Sequence, residues 1–246
     1  MVAAIIQARM SSSRLPGKIM LDLHGKPMLE QIVRRISMSK RVNMTIVATS
    51  REQSDDRVEQ FCQERDIAVF RGSLDNVLER YAHCARQYGA DVIVRCTADN
   101  ALICPEIIDE AVKLFMEKKP HYLSYKASLP VGMKVEAFTF RALEKAFAEA
   151  KDPECLEHVT PYIWRNPHVF QVLTYRNPAD RDYSSLRFTM DEPKDYEFVK
   201  RIYESFPSNS FTWRDMIRLL TEHPEWLEIN RQVRQNVVRY GGEEVQ

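Results

Sequence analysis

A chain of 246 residues is long enough to bury one sizeable α/β core. Its 35 basic and 35 acidic residues cancel, which excludes a global field drawing it to nucleic acid or anionic lipid and leaves partners to be recognised locally. Five cysteines without a CxxC pair, and an N-terminal apolar run too short for a signal peptide or a membrane span, predict reduced thiols in a cytoplasmic protein.

The first apolar run, Val2 to Ile6, reads as a buried strand that feeds a cationic loop. There Arg9, Arg14 and Lys18 are separated by Ser11 to Ser13 and closed by Pro16 and Gly17. The strand anchors one end, Pro16 limits the loop's freedom, and Gly17 lets the backbone approach a ligand. Three cations held this way suit a polyphosphate. Each cation within about 4 Å of a phosphate charge contributes on the order of 4 kcal/mol at a near-surface dielectric, before desolvation is subtracted. This is not a Walker A loop, because no glycine opens it five residues before Gly17 and Ile19 follows the lysine. The competing reading is a solvated basic loop.

Met28 to Ser39 puts Met28, Leu29, Ile32, Val33 and Ile36 on one helical face. Met44 to Thr49 predicts a strand, Ser54 a cap for a helix carrying Val58, Phe61 and Cys62, and Ile67 to Phe70 the next strand. After a turn at Gly72 and Ser73, residues Val77, Leu78, Tyr81, Ala85 and Tyr88 line the inner side of a helix that ends at Gly89. Asp91 to Thr97 predicts a central strand, and Pro105 opens an amphipathic helix. Strands alternating with helices imply βαβ units and a largely parallel sheet, whose ligands bind beyond the carboxyl ends of the strands. That rule puts the Arg9 to Lys18 loop and the turn after Thr97 on one rim.

Residues 121–176 are less regular and read as an insertion or subdomain, with strands near 121–125, 134–138 and 168–175 and helices near 140–147 and 154–164. A strand at 186–190, a turn and a helix from Pro193 follow. Beyond residue 211 the chain reads as helical, with Trp213, Ile217 and Leu220 on one face, so the expected division is a main domain over 1–208 and a helical appendage over 209–246. Asp99 and Asp191 each follow a predicted strand. Two carboxylates at such a rim suit Mg²⁺, which takes one or two carboxylates together with substrate phosphates. A turn or helix cap is the other reading of each, for Asp191 above all. The six histidines show neither zinc spacing nor a partner serine elbow.

RMSSSRLPGK followed by LHGKPMLEQIVRRI resembles the signature of the sugar-acid cytidylyltransferases, which activate 3-deoxy-manno-octulosonate and acylneuraminates. Within that group the resemblance is to the spore-coat polysaccharide biosynthesis branch, and further blocks recur through about residue 200. It implies a three-layer α/β fold with a mostly parallel twisted sheet, Rossmann-like and of the nucleotide-diphospho-sugar transferase (GT-A-like) type. It implies transfer of CMP from CTP to a sugar or sugar acid, with Arg9, Lys18 and Asp99 catalytic and Asp99 and Asp191 holding Mg²⁺. Nucleotide contacts carried over are Ala8, Arg9, Met10, Ser11, Arg14, Lys18, Arg71, Gly72 and Ser73. Acceptor contacts are Lys134 and Glu136 in PVGMKVEAF and Glu157 and His158 in EHVTPYIW, and the middle section would also supply a homodimer contact.

The chain departs from the family pattern at two places. Around Asp99 the family runs glycine, aspartate, cysteine or glutamate, proline; here the block is Ala98, Asp99, Asn100, Ala101. An acidic residue usually follows the glycine of the acceptor block, where Met133 and Lys134 stand. Two rival functions remain open at this point. One is a nucleotide-sugar glycosyltransferase, which usually carries an Asp-x-Asp pair where TADN has a single aspartate. The other is a catalytically impaired nucleotide-binding homologue.

Overall fold

Val2–Gln7 forms a strand buried on both faces because its apolar side chains alternate: Val2, Ala4 and Ile6 join one core cluster, Ala3 and Ile5 the other. The remaining elements build outward from this strand, β1. The computed structural model describes residues 1–126, 129–176, 182–233, 238–240 and 243–245. After β1 (Val2–Gln7) come a short hairpin, β2 (Asp22–Leu23) and β3 (Lys26–Pro27), then α1 (Met28–Ser37), β4 (Met44–Ser50), α2 (Asp56–Gln63), β5 (Ala68–Gly72), α3 (Val77–Gln87), β6 (Val92–Thr97) and α4 (Pro105–Lys118). The second half adds β7 (Tyr122–Lys126), β8 (Val135–Thr139), α5 (Phe140–Glu149), α6 (Pro153–His158), α7 (Pro161–Arg165), β9 (Val172–Arg176), α8 (Pro193–Glu204), α9 (Trp213–Glu222) and the paired β10 (Val238–Tyr240) and β11 (Glu243–Val245).

Seven strands form one sheet in the order β5-β4-β1-β6-β8-β7-β9. β1 runs parallel to β4 and β6, β4 to β5, and β7 to β9; only β8 is antiparallel to its neighbours. One face is covered by α1, α2, α4, α8 and α9, through residues such as Ile32, Phe61, Ile108, Phe198 and Met216. The other is covered by α3, α5 and α7, through Leu78, Tyr81, Leu143 and Ile163. The result is the expected three-layer α/β architecture. Strand order reverses at β1, which leads to β4 on one side while β6 lies on the other. The carboxyl end of β1, where the cationic loop begins, is therefore the kind of switch point at which open α/β sheets bind ligands.

Several local expectations are corrected. The stretch 186–190 is not a sheet strand: it makes a single bridge, Val131 to Arg187. The predicted helix at 154–164 is two helices, broken where Val159 takes φ 70° and ψ −54°. Ser54 does not cap α2; the cap is Asp55, after a 3-10 turn over Gln53–Asp55. The strand expected at 168–175 is confined to Val172–Arg176. Helix beyond residue 211 ends at Glu222 and, after a 3-10 turn at Pro224–Glu228, gives way to the β10–β11 pair. Residues 121–176 supply β7, β8 and β9 to the main sheet, and Phe211, Trp213, Met216 and Leu220 join the core cluster of β1. No helix among the described residues is long and apolar enough to cross a membrane.

Candidate active site

The loop after β1 is organised around the peptide of Met10. Its carbonyl accepts from the amides of Ser12 at 3.0 Å and Gly17 at 3.1 Å, which closes the loop on itself. Its N–H donates to Asp55 Oδ1 at 2.7 Å. The other oxygen of Asp55 accepts from the amide of Ser50 at 3.1 Å and from its hydroxyl at 2.5 Å. Asp55 is fully buried, so the loop is fastened to the end of β4 by a carboxylate that water does not reach. Gly17, at φ 66°, then starts the 3-10 turn Lys18–Met20 that sets the direction of Lys18.

Lys18 Nζ points across the rim to Asp191, donating to Oδ1 at 2.9 Å and to the carbonyl of Met190 at 2.8 Å. Arg14 reaches the same Asp191 oxygen at 3.2 Å, and Arg187 donates to Oδ2 at 2.9 Å. Burial by itself raises the Asp191 carboxyl, but the charges of Lys18, Arg14 and Arg187 outweigh it and hold the group below the usual carboxylate range. Asp195, fully buried, anchors Arg187 from the other side and accepts from the amides of Asp191 and Glu192. Glu192, not Asp191, caps α8. Arg9 is exposed and pairs with no described residue, so the three loop cations divide into two held by Asp191 and one facing solvent. Ala8 is buried and tied to the Ala48 carbonyl at 3.2 Å, whereas Ser11 is exposed.

Asp99 sits beside this group because the Met190 amide donates to its carbonyl at 2.8 Å. The segment bearing Asp191 is pressed in by Gly132, where a Cβ would lie 2.8 Å from Thr189 Cγ2 and 3.0 Å from the Thr189 nitrogen. In the Thr97–Asn100 turn, Asn100 Nδ2 donates to Thr97 Oγ1 at 3.0 Å, so the side chain that replaces the family's usual residue braces the turn. Asp99 Oδ1 is buried and accepts no hydrogen bond. An orphaned, buried carboxylate oxygen suits a hard cation, although the described residues gather no cluster of three ligating side chains around it.

A second polar group occupies the opposite face of the sheet at the same rim. Arg95, on β6, donates to Glu136 Oε2 at 2.7 Å and to Gln7 Oε1 at 3.2 Å. Glu136 Oε1 accepts from the Tyr122 hydroxyl at 2.5 Å and from Thr160 Oγ1 at 3.0 Å, and Lys134 Nζ lies 3.5 Å away. Burial alone raises Glu136; Lys134, Arg95 and the Tyr122 hydrogen bond overcome it, and the carboxyl stays far below its ordinary value. Burial pushes the half-buried His158 below the ordinary imidazole value; Glu157 opposes this, Arg95 adds to it, and Glu136 is a smaller opposing charge. Glu157 is exposed beside it.

The profile of the cytidylyltransferase family matches residues 3–236. The chain belongs to the cytidylyltransferase family. The spore coat polysaccharide biosynthesis protein SpsF of Bacillus subtilis is 31% identical over 90% of this chain and 94% of its own length. A solved cytidylyltransferase from Leptospira borgpetersenii is 33% identical, with a TM-score of 0.87 over 97% of this chain and 99% of that one. The structure of CMP:2-keto-3-deoxy-manno-octonic acid synthetase complexed with CTP shares the fold, with a TM-score of 0.66 at 19% identity over 83% of this chain and 98% of that one.

Within this cytidylyltransferase, the expected site residues that the structure brings together fall into two groups. Arg14, Lys18 and Asp191 form the first, with Asp99 joined to it through the Met190 amide. Lys134, Glu136 and His158 form the second group, on the other face. Arg71 does not present its charge to the site: its guanidinium is spent on the carbonyls of Ser50 and Glu52 and on Asp56 and Glu59, at 2.7–2.9 Å. Ser73 turns its hydroxyl to the Asn76 amide at 3.0 Å. The sequence reading missed Asp55, Arg95, Gln7 and Arg187. Arg95 and Arg187 do carry a signal, each being the one charge inside an otherwise apolar run, VIVRCT and LRFTM. Asp55 carries none, being one of two adjacent aspartates in a polar loop.

Proposed function

We propose that this cytidylyltransferase transfers CMP from CTP to a hydroxyl of a sugar or sugar acid, releasing pyrophosphate, in the synthesis of a surface polysaccharide or glycan precursor. The observation that carries this reading is the meeting of Lys18 and Arg14 with Asp191, 173 residues beyond the lysine in the chain, on the segment whose Met190 amide bonds the carbonyl of Asp99. Phosphoryl-transfer chemistry needs mainly positioning and charge stabilisation from the protein. Arg9, Arg14 and Lys18 hold the β and γ phosphates and stabilise the leaving pyrophosphate. Arg14 and Lys18 exchange the Asp191 carboxylate for phosphate oxygens as the nucleotide enters. Asp99 and Asp191 would hold Mg²⁺, which when bound polarises the phosphoryl group and lowers the pKa of the attacking hydroxyl. Lys134 and His158, beside Glu136, receive the acceptor. Relatives named for spore coat polysaccharide and for 3-deoxy-manno-octulosonate support this acceptor class. The five buried free cysteines support a reducing, cytoplasmic setting, and the acting unit in this reading is a homodimer.

The test is pyrophosphate release from each of four nucleoside triphosphates over a panel of neutral and acidic sugars. CTP with a sugar acid is expected to respond. Lys18→Ala and Asp99→Ala should each lower turnover about 100-fold or more with little change in melting temperature. Full activity in both variants, or release of nucleoside diphosphate from a sugar donor, would overturn the proposal.

A further inference from the structure

Among the described residues, every cation at this rim has a carboxylate partner or faces solvent except Arg80. It lies on α3, is 2% exposed, and makes no ion pair with a described residue. Its Nη1 donates to the carbonyls of Ser73 at 2.5 Å and Leu74 at 3.4 Å, while its buried Nε has no acceptor. The stem of Arg80 crosses Gly72 so closely that a Cβ there would lie 2.8 Å from its Cγ, which explains the glycine. Burial pushes its pKa down. Gly72, which its stem crosses, pairs in register with Ser50, whose amide donates to the same Asp55 carboxylate that holds the Met10 N–H, so Arg80 stands beside the join between the loop after β1 and the turn after β5.

A buried guanidinium without a carboxylate is destabilising, and an apolar side chain of the same length would serve packing better. What the charge does instead is hold two carbonyls. With these oxygens engaged, the turn is left displaying donors: the amides of Ser73, Leu74 and Asp75 give hydrogen bonds to no described residue. Adjacent ring acceptors, such as O2 and N3 of cytosine, match a donor edge. Arg71, committed to α2, is not free to read a base.

We propose that Arg80 is a positioning residue of the nucleotide site, fixing the Gly72–Leu74 turn as a donor edge that selects the pyrimidine base through main-chain amides. This rests on the CTP reading above. The test uses Arg80→Met, which keeps the stem and removes the charge. Calorimetry of CTP and ATP binding should show CTP weakened on the order of tenfold and its preference over ATP reduced. Binding of inorganic pyrophosphate, which has no base, should be unchanged. KM for CTP should rise with kcat nearly constant, and the melting temperature should hold or increase. Arg80→Lys should recover part of the CTP affinity, and Gly72→Ala, which forces Arg80 aside, should reproduce the Arg80→Met phenotype. Wild-type affinity and selectivity in Arg80→Met would overturn the inference. So would a joint loss of melting temperature, CTP binding and pyrophosphate binding, the mark of a merely structural residue. A wild-type protein that binds no CTP would instead sink the CTP reading itself.

Discussion

Asp55 touches no residue expected to meet the acceptor, yet the geometry of the cationic loop after β1 depends on it. Its two oxygens take the Met10 amide, the Ser50 amide and the Ser50 hydroxyl, so Asp55→Ala leaves the buried Ser50 amide and the half-buried Met10 amide without acceptors. Each such loss costs about 1–3 kcal/mol, and denaturant unfolding should show a drop of that order. Pyrophosphate affinity, read by calorimetry, should fall with it because the Met10 peptide no longer closes the loop. Asp55→Asn keeps one carbonyl oxygen for Met10 and should recover most of the affinity. Nothing in the local sequence distinguishes this aspartate from Asp56, which is exposed and pairs with Arg71. The difference is made by β1 passing beside β4, a contact across 45 residues.

The junction of α6 and α7 illustrates a limit of local periodicity. ECLEHVTPYIW reads as one helix, but Val159 sits at φ 70°, and the Thr160 amide closes a tight turn on the His158 carbonyl at 2.8 Å. A β-branched residue there costs roughly 1–3 kcal/mol. The break is held by Thr160 Oγ1 donating to Glu136 on β8, so it belongs to the buried polar group that takes in His158. Glu136 also couples this group to pH. Its folded pKa lies below the unfolded value of 4.5, so its stabilising contribution is fully present above about pH 4.5 and is lost as pH falls toward the folded value. Urea unfolding between about pH 5 and pH 3 should therefore lose stability more steeply in the wild type than in Glu136→Gln. Equal slopes would show that Glu136 is not the coupled group.

Taken as one body, the protein brings its first loop against a segment far along the chain. The loop after β1 meets Asp191 through Lys18 and Arg14, and Arg187 and Asp195 back that contact while Asn230 bonds both of them. A ligand that binds here binds only the folded chain. CTP with magnesium at 100 times its dissociation constant should add about 2.7 kcal/mol, seen as a rise of roughly 5–10 °C in melting temperature. Lys18→Ala should lose most of that rise. A thermal melt with and without nucleotide measures both, and no shift in the wild type would count against a nucleotide site at this rim.

The alternation of apolar runs and amphipathic helices in the first half of the chain determined the parallel strands there, and a strand running into Arg9, Arg14 and Lys18 determined a cationic loop at the sheet's rim. These are local patterns, set by side-chain period and by the charge spacing of one short segment. Tertiary structure alone decided that Arg71 turns away, that Arg80 holds the turn after β5 and Asp55 the loop after β1, and that Asp191 arrives on a segment pressed in by Gly132. Each of those outcomes is a contact between elements far apart in sequence, whose free energy comes from burial and hydrogen bonding that no local window contains.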